Sequence, residues 1–463
     1  MSKTTLLTLT IILLEFSHSM LNSLIGIPRY RVLKDLSELM YGDNSLLMTR
    51  LEIITGVVAF AVSLFFVLCK LKKKNALRYK ATLLLLPIVG AIGSTITLSI
   101  LIDFNGQSLS ASWVYTLAIA PSITGESFLF ETCVSDIIAL IVNDRQLRVS
   151  LFLWVKGGKL AGICFTQIVL PLLDVSEDDM LNIAAPIVCI MLTLAGVFLT
   201  SLVMFMSDNE NGINVVVVTQ KPKEMKRIND DDDDDDESQQ QLDEITNFVD
   251  DNITIDEDET VSSNIKLLWY FVKGLNRYHA VLCSLIMLHS AQRGEYKFTY
   301  LFLANNLNFE PRYLRIINGS QYLLFTVSVY LMGFIIRHTN HSHVTLIAFI
   351  VSMLFSAAAR VCQIVSWELN NFVVWCVSAL LSTPGPLAYQ VMQQVMYKKL
   401  NNEQIVGIVL LSVDKFMSIP IIQLYQIAHQ QLQISPFYVT LALMLLTTVG
   451  GLSTKTMRTW LNS

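Results

Sequence analysis

Apolar runs of about 20 residues, the length that carries an α-helix across ~30 Å of hydrocarbon, recur along almost the whole chain. They lie near 5–27, 51–69, 81–102, 111–140, 149–173, 181–206, 276–303, 314–336, 343–363, 372–396, 404–427 and 436–454. Lipid satisfies no backbone polar group, so such runs must be helices, or helices broken inside protein. The alternating pattern of barrel strands is missing. Composition agrees. Charged residues make up 15% and the mean hydropathy is +0.51, against roughly 25% charge in soluble domains. An ordinary water-soluble enzyme is excluded. Seven cysteines in 463 residues, an odd and sparse set, exclude a secreted disulfide scaffold. The expected class is an all-α membrane protein of about 12 transmembrane helices. The first run has a single basic residue before it, Lys3, and carries Glu15, His18 and Asn22. It is expected to stay as a helix rather than be cleaved as a signal peptide.

Orientation follows from Lys and Arg in the short loops. The loop after the second run holds Lys70, Lys72, Lys73, Lys74, Arg78 and Lys80 with no acid, and the next even loop has Arg145 and Arg148. Later even loops carry Arg337, then Lys398 and Lys399, while the odd loop 174–180 has four acids and no base. Even loops, and with them both termini, are expected on the cytoplasmic side. The odd loop 28–50, with Arg29, Arg31, Lys34 and Arg50, fits this less well.

A formal net charge of -5 conceals two materials. Residues 208–264 hold 19 of the 38 acids and four of the 33 bases, a net of -15, which leaves +10 on the remainder. Asp230 through Asp236 run without interruption. Such a segment cannot bury a core, and its like charges keep it extended. The expected organisation is therefore a six-helix half over 1–207, an acidic disordered cytoplasmic linker over 208–264, and a second six-helix half over 265–463. That is the layout of the major facilitator fold, whose substrate site lies near the midplane between its halves. On this topology the sequons at Asn252 and Asn340 are cytoplasmic and stay bare, and Asn318 begins a span.

An ionisable group in a spanning helix costs at least ~2.5 kcal/mol, and is a functional hypothesis by default. Glu15 is mid-span in the first run, with Asn22 expected on the opposite part of the helix surface two turns on. The fourth run carries Glu126, Glu131 and Asp136, and the fifth carries Lys156 and Lys159 on one face. Taking helix ends near Leu140 and Arg148, Glu131 lies about 13 Å and Lys156 about 12 Å from the connecting loop. A Glu131–Lys156 or Glu126–Lys159 pair is expected; its plainest role is structural, its functional one solute binding. In the second half His279, His289, Arg293 and Glu295 fall in the seventh run, Arg360 in the ninth and Asp414 in the eleventh. His289 titrates near neutrality unless its surroundings prevent it. Pro384-Gly385-Pro386 should interrupt the tenth helix and free backbone carbonyls for a ligand or for packing.

No P-loop, GxSxG, HExxH or CxxC motif occurs, so no enzyme, cofactor or nucleic-acid partner is expected. His338, His341 and His343 form a short cluster at one loop, too weak a pattern to assign a metal. Gly157-Gly158 is better suited to close helix packing than to a phosphate cradle.

Several short motifs occur in order. They are Glu15; Ile27-Pro28-Arg29-Tyr30; Leu83-Leu84-Leu85-Leu86-Pro87-Ile88-Val89-Gly90; Val134-Ser135-Asp136 with Asp144-Arg145-Gln146-Leu147-Arg148; Glu403-Gln404; Leu424-Tyr425; and Ser435-Pro436-Phe437. In these the chain resembles the proton-coupled folate transporter family, which also contains the thymic stromal cotransporter homologue. The resemblance implies a major facilitator fold, with Asp136, Arg145 and Arg148 as gating-loop residues and His289 close to a seventh-helix His. It also implies a coupling carboxylate in the fifth helix, yet 149–173 contains no Asp or Glu. The family's tenth-helix Arg falls among Gln390, Met392, Gln393 and Gln394.

The expectation is a multi-pass secondary transporter of a small organic solute, anionic and proton-coupled if the resemblance extends that far, in the plasma membrane or the lysosomal membrane. Candidate binding or coupling residues are Glu15, Asn22, Glu126, Glu131, Lys156, Lys159, His289, Arg293, Arg360 and Asp414. The expected partners are a small-molecule solute, protons and the lipid bilayer. The alternative is a transport-dead membrane receptor or scaffold that binds partners through its acidic loop.

Overall fold

The computed structural model describes residues 3–41, 46–68, 73–103, 119–142, 145–173, 180–208, 311–338, 344–399 and 435–453, with isolated positions within 284–310 and 421–428. Arg293 and Asp414, His279 and Glu295, His341 and His343, and nearly all of the acidic insert lie outside the described residues. Glu126 and Arg145 lie on helices, but their side chains are outside the description too.

Twelve α-helical segments are described: α1 Lys3–Tyr41, α2 Leu46–Leu68, α3 Lys73–Leu83, α4 Leu85–Asp103, α5 Glu126–Ile141, α6 Arg145–Leu172, α7 Ala185–Asp208, α8 Pro311–His338, α9 Val344–Leu369, α10 Phe372–Leu381, α11 Gly385–Lys399 and α12 Phe437–Ser453. Among the described residues, seven apolar stretches are long enough to cross a membrane, and Ile54–Phe66 and Phe437–Gly450 are shorter apolar helices. The chain is a multi-pass membrane protein. Its outer faces are apolar where a soluble bundle would be polar. Leu323, Val327, Leu331 and Phe334 form an exposed stripe on α8, as do Ile187, Ile190, Leu194 and Phe198 on α7. In water such stripes would drive aggregation; in a bilayer they meet acyl chains.

Hydroxyls inside these helices satisfy themselves one turn back. Thr10 donates to the Leu6 carbonyl, Thr95 to Ala91, Thr132 to Phe128 and Thr326 to Tyr322, all within 3.0 Å. This lets Ser and Thr enter a span without a buried unpaired group.

Three helix ends differ from the sequence expectation. α1 does not stop at Ile27 but runs through Pro28 to Tyr41, because 33–40 is rich in helix formers. The third run is two helices meeting at Leu84. Pro87 supplies the reason: it offers no N–H, and its ring crowds the carbonyl four residues back, at Leu83. The fourth run enters α5 through a 3₁₀ turn, Ala120–Thr124. Gly125 follows at φ +80, where a Cβ would lie 2.6 Å from Leu129 Cβ and 2.9 Å from Ser63 Oγ. Only glycine fits.

The interruption at Pro384-Gly385-Pro386 is where the sequence placed it, between α10 and α11. α10 starts on Asn371, whose Oδ1 accepts from the Val373 and Val374 amides at 2.9 and 3.3 Å, a side-chain cap.

α6 ties the bundle together. Leu151 and Val155 belong to the core built with α1, α4, α5 and α7. Leu153 and Leu160 belong to the core built with α8, α9 and α11. Glycines permit both approaches. A Cβ on Gly158 would stand 3.0 Å from the Ile12 carbonyl oxygen, and one on Gly162 would overlap the Phe16 carbonyl and Ser19 Oγ. On the α8 side, a Cβ on Gly157 would stand 2.7 Å from the Tyr330 ring, and one on Gly333 the same distance from Trp154 Nε1. Membrane helices use small residues this way because close contact supplies most of their association.

Candidate functional site: an ionic cluster on α1, α5 and α6

Three stripes interleave on α6. At about 100° per residue, Val155, Gly158 and Gly162 face α1, and Leu153, Gly157 and Leu160 face α8. Lys156 and Lys159 lie in the angle between those stripes. Phe165, 40% exposed, marks the roughly opposite, outward face. The two lysines therefore project inward, where α1, α6 and α8 converge.

Lys159 forms an ion pair with Glu131 of α5, and both side chains keep a quarter to a third of their surface exposed, 25% and 32%. The expectation named Glu131 with Lys156 and Glu126 with Lys159; the pair shown is Glu131 with Lys159, and the Glu126 side chain lies outside the described residues. Helical side chains lean toward their own N-terminus. On antiparallel neighbours the lean moves Glu131 away from the connecting loop and the lysines toward it. The carboxylate therefore meets a lysine one turn beyond the one that rise alone selects.

Glu15 of α1 is 4% exposed, and the charges of Lys159, Glu131 and Lys156 act on it. Its Oε2 is buried and has no hydrogen-bond partner. Asn22 does not lie on the opposite part of the surface: seven residues on, it returns to the same face. There its Nδ2 donates to His18 Nε2 at 3.3 Å. His18 is 3% exposed and stacks on Phe130 of α5, with ring centroids 3.8 Å apart and 15° between planes. Gln167 Nε2 donates to Ser23 Oγ at 3.1 Å and closes the α1–α6 contact one turn further along. Sequence reasoning noticed His18 only as a flaw in a signal peptide. Its position three residues after Glu15 was the signal that both share one inward face.

A second ionic contact sits where α5 ends and α6 begins. Asp136 pairs with Lys80 of α3 at 2.8 Å, each 4% exposed. The expectation grouped Asp136 with Arg145 and Arg148. Arg148 Nε donates to the Val142 carbonyl at 2.8 Å, where that backbone group leaves α5, and the Arg145 side chain lies outside the described residues. Lys80 was read as a loop base. It lies on α3 beside Ala81, and Thr200 of α7 bonds the Ala81 carbonyl at 3.1 Å, so this face is packed.

The second half is polar in another manner. Ser352 of α9 donates to the Pro384 carbonyl at 2.6 Å and the Gly385 carbonyl at 3.1 Å, and accepts from the Ala388 amide at 3.0 Å. Ser328 of α8 donates to the Thr383 carbonyl at 3.0 Å, and Gln321 Nε2 to Ser382 Oγ at 3.0 Å. Backbone groups freed by the break are thus taken up within the protein. His289 is 7% exposed and stacks on Tyr389 of α11, centroids 5.9 Å apart. Arg360 is buried on α9, one turn from Gln363. Among the described residues no three metal-ligating side chains come together.

No protein-family model and no curated protein matches the chain. Solved structures do. A bacterial homologue of the iron transporter ferroportin, in its outward-facing state, superposes with a TM-score of 0.61 at 12% identity, covering 98% of this chain and 99% of that one. The same homologue with soaked iron gives 0.57 at 11%, covering 96% and 98%. The major facilitator proton:xylose symporter XylE bound to 6-bromo-6-deoxy-D-glucose gives 0.58 at 11%, covering 97% and 94%. These likenesses extend over nearly the whole of each chain, and at such low identity they define the fold: an all-α membrane protein of the major facilitator class. The narrower resemblance to folate transporters finds no counterpart among these neighbours.

Proposed function

We propose that the chain is a secondary transporter that moves a small organic solute across its membrane by alternating access. The observation that carries this is the inward cluster of Glu15, Glu131, Lys156 and Lys159. Four ionisable groups within the spans of a membrane bundle are costly, and their position on α1, α5 and α6 beside α8 supports a solute site of the kind major facilitators build between their halves. The organisation that goes with it is 1–207 and 265–463 as rocking halves, with 208–264 as a cytoplasmic tether. Asp136 with Lys80, together with Arg145 and Arg148, then forms a cytoplasmic contact that opens and closes. His289, Arg293, Arg360 and Asp414 are the second half's candidate contributors, and a proton gradient is the candidate driving force.

The test is uptake by proteoliposomes holding the purified protein. A labelled panel of glycine, glycylglycine, acetate, tetraethylammonium and folate is offered with and without an inward proton gradient. Accumulation of any member above protein-free vesicles, abolished in Lys159→Gln and Glu131→Gln variants that still elute as single species, supports the reading. Accumulation of none overturns the transporter. Undiminished uptake by both variants removes the cluster from the site.

A further inference from the structure

We infer that the solute recognised at this cluster is a zwitterion, a molecule carrying an ammonium and a carboxylate within one small frame. The inference rests on the transporter reading above and adds the class of solute.

Charge balance is the first step. With both acids ionised, Glu15 and Glu131 supply two negative charges among the described side chains in the cluster, and Lys156 and Lys159 two positive ones. His18, stacked flat on Phe130 and accepting a hydrogen bond on Nε2 from Asn22, serves as an acceptor rather than as a third cation. A set that sums to zero can be held in a low-dielectric interior because each charge has a counterpart nearby. Adding a solute with a net charge disturbs that sum. A monoanion or a free organic cation leaves one unit uncompensated, and a dicarboxylate leaves two. A zwitterion adds none.

The second step is hydrogen bonding. The cluster is not evenly satisfied. Glu131 has Lys159 as a direct partner. Glu15 Oε2 is buried without a hydrogen-bond partner, on a side chain 4% exposed. A buried acceptor left unpaired costs about 1–3 kcal/mol, more when it is charged, so a protein keeps one where something arrives to fill it. The complement of a carboxylate oxygen is a charged donor, and an ammonium offers three. Its own carboxylate then needs a cation within the span of a small molecule. Lys156 is half-buried on the inward stripe of α6, close enough for its charge to act on Glu15. The solute would bridge α1 to α6, its ammonium on Glu15 and its carboxylate toward Lys156, with the Glu131–Lys159 pair as the wall behind.

This departs from an anionic, folate-like load. Such a solute would put two carboxylates into a cluster that already holds as many acids as bases.

The proteoliposome panel decides it. Glycine and glycylglycine should be accumulated at least tenfold over acetate and over tetraethylammonium. Leucine should raise the melting temperature of the detergent-solubilised protein where acetate at equal concentration does not. Glu15→Gln should weaken zwitterion uptake at least tenfold while Glu15→Asp keeps most of it. Preference for acetate, folate or tetraethylammonium overturns the zwitterion and leaves the transporter standing, as does a Glu15→Gln variant with unchanged glycine uptake. Failure of every solute to enter overturns the transporter itself. The preference order is read on the wild-type protein, so the inference remains testable even if a Glu15 variant does not fold.

Discussion

Two regions of this bundle hold their polar groups by different means. Around α1, α3, α5 and α6 the device is paired charge: Lys159 on Glu131 with Glu15 beside them, and Lys80 on Asp136. Around residues 382–385 the device is neutral. Two serines and a glutamine, from α8 and α9, take up what the broken helix leaves open. The chemistry differs because the problem differs. A broken backbone presents carbonyl oxygens whose needs a hydroxyl can meet without any charge to desolvate. On the proposed function, a site that accepts and releases a charged solute needs groups whose attraction can be exchanged for the solute's own. The charged region is therefore the one expected to move between partners, and the hydroxyl-capped region the one expected to hold its shape.

That contrast is broken most severely at Lys80–Asp136. Both side chains are 4% exposed, so removing one leaves the other charged and buried. Asp136→Ala should destabilise by about 3–5 kcal/mol, read as a fall in the detergent melting temperature and loss of monodisperse protein. Replacing both together, Lys80→Met with Asp136→Leu, should recover most of that loss, because two apolar side chains leave nothing unpaired. If the double variant is as unstable as the single one, the pair is not an isolated unit.

Gly162→Val comes next. Its Cβ would fall onto the Phe16 carbonyl and Ser19 Oγ of α1, a backbone-lined contact that cannot give way. Overpacking of this sort costs about 1–3 kcal/mol, and here it would also separate Glu15 from the lysines. Gly93→Ala is the control, since nothing lies within 4 Å of its added Cβ. A stable Gly162→Val protein with intact uptake would show that the α1–α6 approach does not set the cluster's geometry.

The neutral region should be less sensitive, and Ser352→Ala measures it. Three hydrogen bonds are lost at once. Hydrogen bonds between membrane helices average about 0.6 kcal/mol each, so the loss should be on the order of 2 kcal/mol, with the preference among solutes unchanged. A changed preference would bring the broken helix into the site and collapse the contrast between the two regions.

Most of the architecture was legible in sequence because lipid leaves so few options. Runs of about 20 apolar residues must be helices, and prolines mark breaks. Pro384-Gly385-Pro386 fell where it was placed. Pro87 was the overlooked signal for the division at Leu84. The charges inside the spans were legible one by one and not as pairs. Glu131 and the two lysines stand out as charges in apolar runs, but spacing gives rise and phase only. Which lysine meets Glu131 depends on side-chain lean, about one turn in this case. Lys80 was misplaced because a base at a helix end looks alike in sequence whether it faces water or a buried acid. The glycines of α6 were read correctly as packing, although sequence could not say that Gly157 and Gly158 serve different neighbours.

The smallest effect lies between the two regions. Arg337, near the end of α8, places its guanidinium carbon 5.4 Å from the centre of the Trp154 ring on α6. Gly333, one turn earlier, admits the same indole. The arginine is exposed, and cation–π contacts at exposed sites contribute about 0.5–1 kcal/mol. Arg337→Ala should therefore barely alter the melting temperature. Gly333→Leu, which fills the space the indole occupies, should lower it by more. In a transporter whose halves rock about α6 and α8, the arginine variant should still change the rate of uptake, because half a kilocalorie per mole on one state of a two-state equilibrium shifts its population about twofold. The measurement is initial uptake rate at saturating solute. If Arg337→Ala leaves that rate untouched while Gly333→Leu alters it, the indole's packing alone sets the seam and the cation above it is incidental.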